Sequence, residues 1–129
     1  MVAVLASEHD RSVVSNLCWR YQWEVFFANT CEQARLVSDE LNPQIVLMDR
    51  DVAGSGWRKA MFSLTSSSSE ACIVLVSRVV DDYLWNEVVY HGGYEVVGKP
   101  IREDEVAKAV RLAWCYWRSA AKYLAAAKK

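Results

Sequence analysis

Gln44-Ile45-Val46-Leu47-Met48, followed at once by Asp49-Arg50-Asp51, is an unbroken apolar run that ends in two carboxylates. An apolar run of this length without alternation predicts a strand covered on both faces, the situation of a central strand in a parallel sheet. The same pattern repeats on either side of it. Val2-Ala3-Val4-Leu5-Ala6 and Glu24-Val25-Phe26-Phe27-Ala28 read as the first and second strands. Cys72-Ile73-Val74-Leu75-Val76 reads as the fourth, and Tyr94 to Val97 as a short fifth. Segments of helical period lie between them. Val13, Leu17 and Tyr21 recur at i, i+4 and i+8, an amphipathic helix. Thr30 and Gln33 form a capping box before the stripe Ala34, Val37, Leu41, and Pro43 follows its end. Trp57, Met61 and Leu64 mark a short third helix. Asp81 or Asp82 caps a fourth, through Leu84, Val88 and His91, that stops at Gly92-Gly93. Val106, Val110, Ala113 and Trp117 stripe the last.

Strand and helix thus alternate five times, with connections long enough for right-handed crossovers. This predicts an α/β fold: a flavodoxin-like, doubly wound, five-stranded parallel sheet of order 2-1-3-4-5 with five helices. Residues 1–129 form one domain, with a core over 2–118 and an Ala- and Lys-rich helical extension or tail over 119–129. The run Ser66-Ser67-Ser68-Ser69 is too short for a linker and reads as a loop.

Composition narrows the function classes. Hydrophobic residues make up 53% and charged residues 24%, a globular profile. Net charge is −1, so no global basic field invites nucleic acid or an anionic membrane. Cys18, Cys31, Cys72 and Cys115 contain no C-x-x-C pair and read as small buried hydrophobes in a reducing compartment. No apolar run approaches the ~18 residues of a membrane span, and Met1 opens directly into the first strand. A cytoplasmic protein is expected.

In doubly wound sheets ligands gather at the carboxyl ends of the strands. The residues there are Ser7, Glu8, His9 and Asp10 after the first strand, Asp49 and Asp51 after the third, Ser77 after the fourth, and Lys99-Pro100 after the fifth. Asp49, Ser77 and Lys99-Pro100, each behind its strand in that order, resemble the receiver domain of two-component response regulators, the CheY-like group. The resemblance covers residues 2–118. It implies that Asp49 accepts a phosphoryl group from a sensor histidine kinase or phosphotransfer protein, that Ser77 bonds the phosphoryl oxygens, and that Lys99 pairs with them. It implies a cis bond at Pro100 and Mg2+ held by Glu8, Asp49 and Asp51. The domain would be regulatory, an enzyme at most toward its own phosphorylation, and would signal to a downstream protein partner.

Physical chemistry supports these residue types, since a carboxylate can attack phosphorus and cations must offset the charge brought in. The chain also departs from the family. Receivers place two adjacent acids after the first strand, where this chain has Ala6-Ser7-Glu8: either the pair is absent, or Glu8 alone survives. Ala53 replaces a usual proline, and Val96 stands at the aromatic switch position, with Tyr94 two residues away. A pseudo-receiver, acting as a phosphorylation-independent interaction or dimerisation module, is the alternative. The structural alternatives are that Asp49 caps the loop after its strand, that Ser77 caps the next turn, that Lys99 is the structural ion-pair partner of Asp49, and that Glu8 is a solvated helix start. Trp57 is expected to pack under the loop after Asp49, and Trp19 and Trp23 in the core. Trp114, Tyr116 and Trp117 cannot all share one inward stripe, so Trp114 or Tyr116 should lie outside the core and serve a partner or homodimer contact.

Overall fold

The computed structural model describes residues 1–66 and 71–127, without the side chains of residues 66 and 117–127. Five strands, β1 (Val2–Val4), β2 (Phe26–Ala28), β3 (Ile45–Asp49), β4 (Cys72–Ser77) and β5 (Glu95–Gly98), form one parallel sheet of order β2-β1-β3-β4-β5. The main helices are α1 (Glu8–Tyr21), α2 (Cys31–Leu41), α3 (Trp57–Ser66), α4 (Asp82–Tyr90) and α5 (Glu103–Ala127). A helical turn (Arg50–Ala53) and a 3-10 turn (Gly54–Gly56) join β3 to α3. This is the expected fold and strand order. Residues 67–69 of the serine run and the side chain of Trp117 lie outside the described residues.

The apolar strands are unbroken because both sheet faces are covered. Ala3, Leu47, Val74 and Val76 face a core shared with Leu17 of α1 and Val106, Val110 and Ala113 of α5. Val4, Met48, Ile73 and Leu75 face the opposite core, filled by Ala34 of α2, Trp57 and Met61 of α3, and Leu84 and Val88 of α4. Trp57 is buried, as expected. Trp19 is not: it is 86% exposed. The inward stripe of α1 is Val14, Leu17 and Cys18, and each further residue turns about 100° away. Trp23 packs against the first core only in part.

Capping sets the helix starts. Thr30 Oγ1 accepts the Gln33 amide at 3.0 Å, and Asp81 Oδ1 accepts that of Leu84 at 2.8 Å. Gln33 Oε1 reaches back to the Asn29 amide at 2.7 Å, one residue before the cap. All four cysteines are free. Among the described residues no helix is long and apolar enough to cross a membrane.

Register fixes what meets at the carboxyl edge. Met48 pairs with Val4, Asp49 with Val76, and Ser77 with Gly98. The ends of the three central strands and of β5 are therefore level, and the residue after each one opens on the same rim.

Candidate functional site

Asp49 closes β3 and caps the helical turn that follows; it is fully buried. Its Oδ1 accepts the Asp51 amide at 2.9 Å and Lys99 Nζ at 3.1 Å, while Oδ2 accepts the Ala6 amide at 2.9 Å and Lys99 Nζ at 2.9 Å. An ionised carboxylate offers about four acceptor positions. Both oxygens of Asp49 are thus doubly engaged.

Lys99 is brought there by the loop after β5. Its amide donates to Ser77 O at 3.0 Å, and the Lys99–Pro100 bond is cis. Asp10, buried on α1, anchors the far side of that loop by accepting the Ile101 amide on Oδ1 at 3.0 Å. The ammonium also donates to Asp51 Oδ2 at 2.8 Å, and Arg78 Nε lies 3.1 Å from the same oxygen. Arg78, Asp51, Lys99 and Asp49 therefore form a chain of alternating charge, running from an Arg78 side chain 77% exposed to one carboxylate wholly buried.

The pKa shifts follow from this chain. The hydrogen bond from Lys99 holds the Asp51 carboxyl below the usual carboxylate range, with Arg78 adding to the effect. For Lys99, burial works against the charged form. The hydrogen bonds and charges of Asp51 and Asp49 outweigh it, and its pKa is raised.

The structure thus brings Asp49, Asp51 and Lys99 into contact. Ser77 stands on the same edge, but its Oγ accepts the Val79 amide at 3.2 Å and bonds neither Asp49 nor Lys99. Glu8, expected among the metal ligands, is not brought to the cluster. Ser7 Oγ caps α1 by accepting the Asp10 amide at 3.1 Å, which puts Glu8 in the first helical turn. There its side chain is 93% exposed and lies 3.7 Å from Arg11. The residues that follow β1 beside Asp49 are Ala6 and Ser7, and neither is an acid.

That donor set does not fit Mg2+. The ion demands a near-octahedral shell of oxygens. Asp49 has its acceptor positions filled, and Asp51 is committed to Lys99 and Arg78. Two cations already balance the two carboxylates. Among the described residues no group of three or more His, Cys, Asp or Glu is placed to hold a metal.

Composition and strand pattern do not reveal the roles of two residues of this site, Asp10 and Arg78. Ser7-Glu8-His9-Asp10 has the S-x-x-D spacing of a helix start, which places Glu8 outside the rim and Asp10 within. Arg78 directly follows Ser77 and had no signal beyond its position at a strand end.

No protein-family model and no curated protein matches the sequence. Solved structures match the fold. The chemotaxis protein CheY4 of Vibrio cholerae superposes with a TM-score of 0.76 at 16% identity, over 87% of this chain and 95% of that one. The N-terminal domain of a response regulator/sensory box/GGDEF protein from Carboxydothermus hydrogenoformans gives 0.77 at 20%, over 93% and 97%. NtrX from Brucella abortus gives 0.82 at 16%, over 95% of this chain but 28% of its own. The parallel sheet of order β2-β1-β3-β4-β5 agrees with this likeness: the chain has the fold of a CheY-like receiver domain.

Proposed function

We propose that this domain is a regulatory, receiver-type signalling module that acts through protein contacts without phosphorylation of Asp49. The observation that carries the reading is the saturated carboxylate. Attack on phosphorus needs a free lone pair, and each oxygen of Asp49 already accepts two hydrogen bonds. The charge of an incoming phosphoryl group also needs a divalent counter-charge, for which the acids after β1 are missing. Lys99 then acts as a structural counter-ion that holds the β5–α5 loop against β3. Contacts with a partner protein would run over the exposed aromatics of α4 and α5, among them Tyr83, Tyr90, Trp114 and Tyr116.

The second reading keeps Asp49 as phosphoacceptor for a histidine kinase or phosphotransfer protein, with Mg2+ recruited only when the donor binds. The placement of Ser77 and Lys99 on the rim beside Asp49 favours it. Intact mass after incubation with acetyl phosphate and Mg2+ separates the two. The expected result is no phosphoryl increment in the wild type. A stoichiometric increment that Asp49→Asn abolishes would establish the second reading instead.

A further inference from the structure

We propose that the cavity beside the charge chain is a binding site for the phosphoryl dianion of a small phosphate monoester, held without a covalent bond. The cavity, about 530 Å³, opens between the segment after β3 and the segment after β4. Arg50, Arg58 and Arg78 line it together with Ser55, Ser77 and the backbone at Gly54, and Asp51 is the one carboxylate on its wall. Three guanidiniums line the hollow against one wall carboxylate, an excess of positive charge that a bound anion would offset. Each presents a planar fork that matches phosphate oxygens.

The arginines are positioned rather than scattered. The buried Trp57 ring carries two of them, with the guanidinium carbon of Arg58 4.4 Å and that of Arg50 5.8 Å from its centroid. Arg50 is half-buried and makes no ion pair among the described residues. Arg58 has one carboxylate partner, Glu87, at 3.3 Å. Ser77 Oγ accepts from Val79 and keeps its own proton to donate. Gly54 has a φ of +66° and open space where a Cβ would stand, so its backbone leaves the entrance clear. The volume lies in the range of small-ligand sites, roughly 300–1,000 Å³. It exceeds what one phosphate ion fills, which is why an ester is assigned rather than the bare ion.

Binding would reach the buried pair through Arg78. Its guanidinium now holds Asp51, and Asp51 holds Lys99. A dianion that takes Arg78 competes with Asp51 for it and loosens the outer end of the chain. This inference does not depend on whether Asp49 is phosphorylated, and its test contains neither Mg2+ nor a phosphoryl donor.

The test is a titration of amide chemical shifts with inorganic phosphate and with glycerol phosphate, against chloride at matched ionic strength. Saturable shifts confined to Gly54, Ser55, Arg78 and Val79 are expected, with the ester bound more tightly than the ion. Equal affinities would keep the site but assign it to the free anion. Arg50→Gln and Arg78→Gln should each weaken binding about tenfold, the order of one charge-assisted contact. Arg20→Gln, on α1, should leave it unchanged. Shifts that do not saturate, or equal binding in all four proteins, would overturn the proposal.

Discussion

Lys99 bears more of the site's electrostatics than any other single residue. Its side chain is nearly buried, and it donates to both Asp49 oxygens and to Asp51. Removing one partner of a buried pair leaves the other charged and unpaired, which costs about 3–5 kcal/mol. Lys99→Met should lower the urea midpoint accordingly. Asp51→Asn should cost far less, within about 0–1 kcal/mol, because Asp51 is 42% exposed and water takes over much of its solvation. Equal losses in the two variants would contradict this ranking. Asp49 and Lys99 were legible in the sequence, because each directly follows an apolar run and strand ends in a parallel sheet share one rim. Arg78 and Asp10 were not, because their partners lie 27 and 91 residues away along the chain, and no local pattern encodes such a pairing.

Among the elements, α1 and the aromatic faces of α4 and α5 show where a helical period informs and where it stops. The period located each helix. It did not locate the cap of α1, and a shift of one residue there decides whether Glu8 faces the rim or solvent. It also failed for Trp19, whose size suggested core although its angular position on α1 points outward. On α5 the period does place the aromatics. Trp114 is 40% and Tyr116 59% exposed, since the buried face of α5 is made by Val106, Ala107, Ala109, Val110 and Ala113 among the described residues. Tyr116 lies tilted against Tyr94 with ring centroids 5.4 Å apart, which restrains that exposed ring. Aromatics held this way suit a contact surface, because they bury large areas at low entropic cost. A homodimer through this face is expected in sedimentation of the wild type, and the double variant Trp114→Ala, Tyr116→Ala should run as a monomer. A monomer in both cases would leave the face to a different protein.

At the scale of the whole molecule, the topology was legible because each crossover joins two strands buried on both faces, and such runs stand out against polar helix surfaces. The charge chain and the burial of a thiol give the molecule two opposite pH limits. On the acid side, the folded state holds the Asp51 carboxyl below its ordinary value, through Lys99 first and Arg78 second. Its contribution is present above the unfolded value of about 3.9 and is lost as pH falls through the depressed folded one. On the alkaline side, burial pushes the Cys72 thiol up to about 11, and its Sγ lies 3.5 Å from Ala113 O as a donor. The unfolded chain releases that proton from about pH 8.5, so the stabilising effect is complete below that pH and declines until the folded value is passed. Lys99, raised by its two carboxylates, adds a later loss as pH climbs past its own folded value. Urea midpoints measured across pH should therefore show a plateau from mildly acidic to neutral conditions with a fall on each side. Asp51→Asn should flatten the acid limb, leave the thiol-dependent first part of the alkaline limb, and bring the later Lys99 loss to lower pH. Cys72→Ala, compared with its own neutral midpoint to set aside the lost packing, should flatten the first part of the alkaline limb. An alkaline limb of unchanged slope in that variant would show that burial of the thiol does not set it.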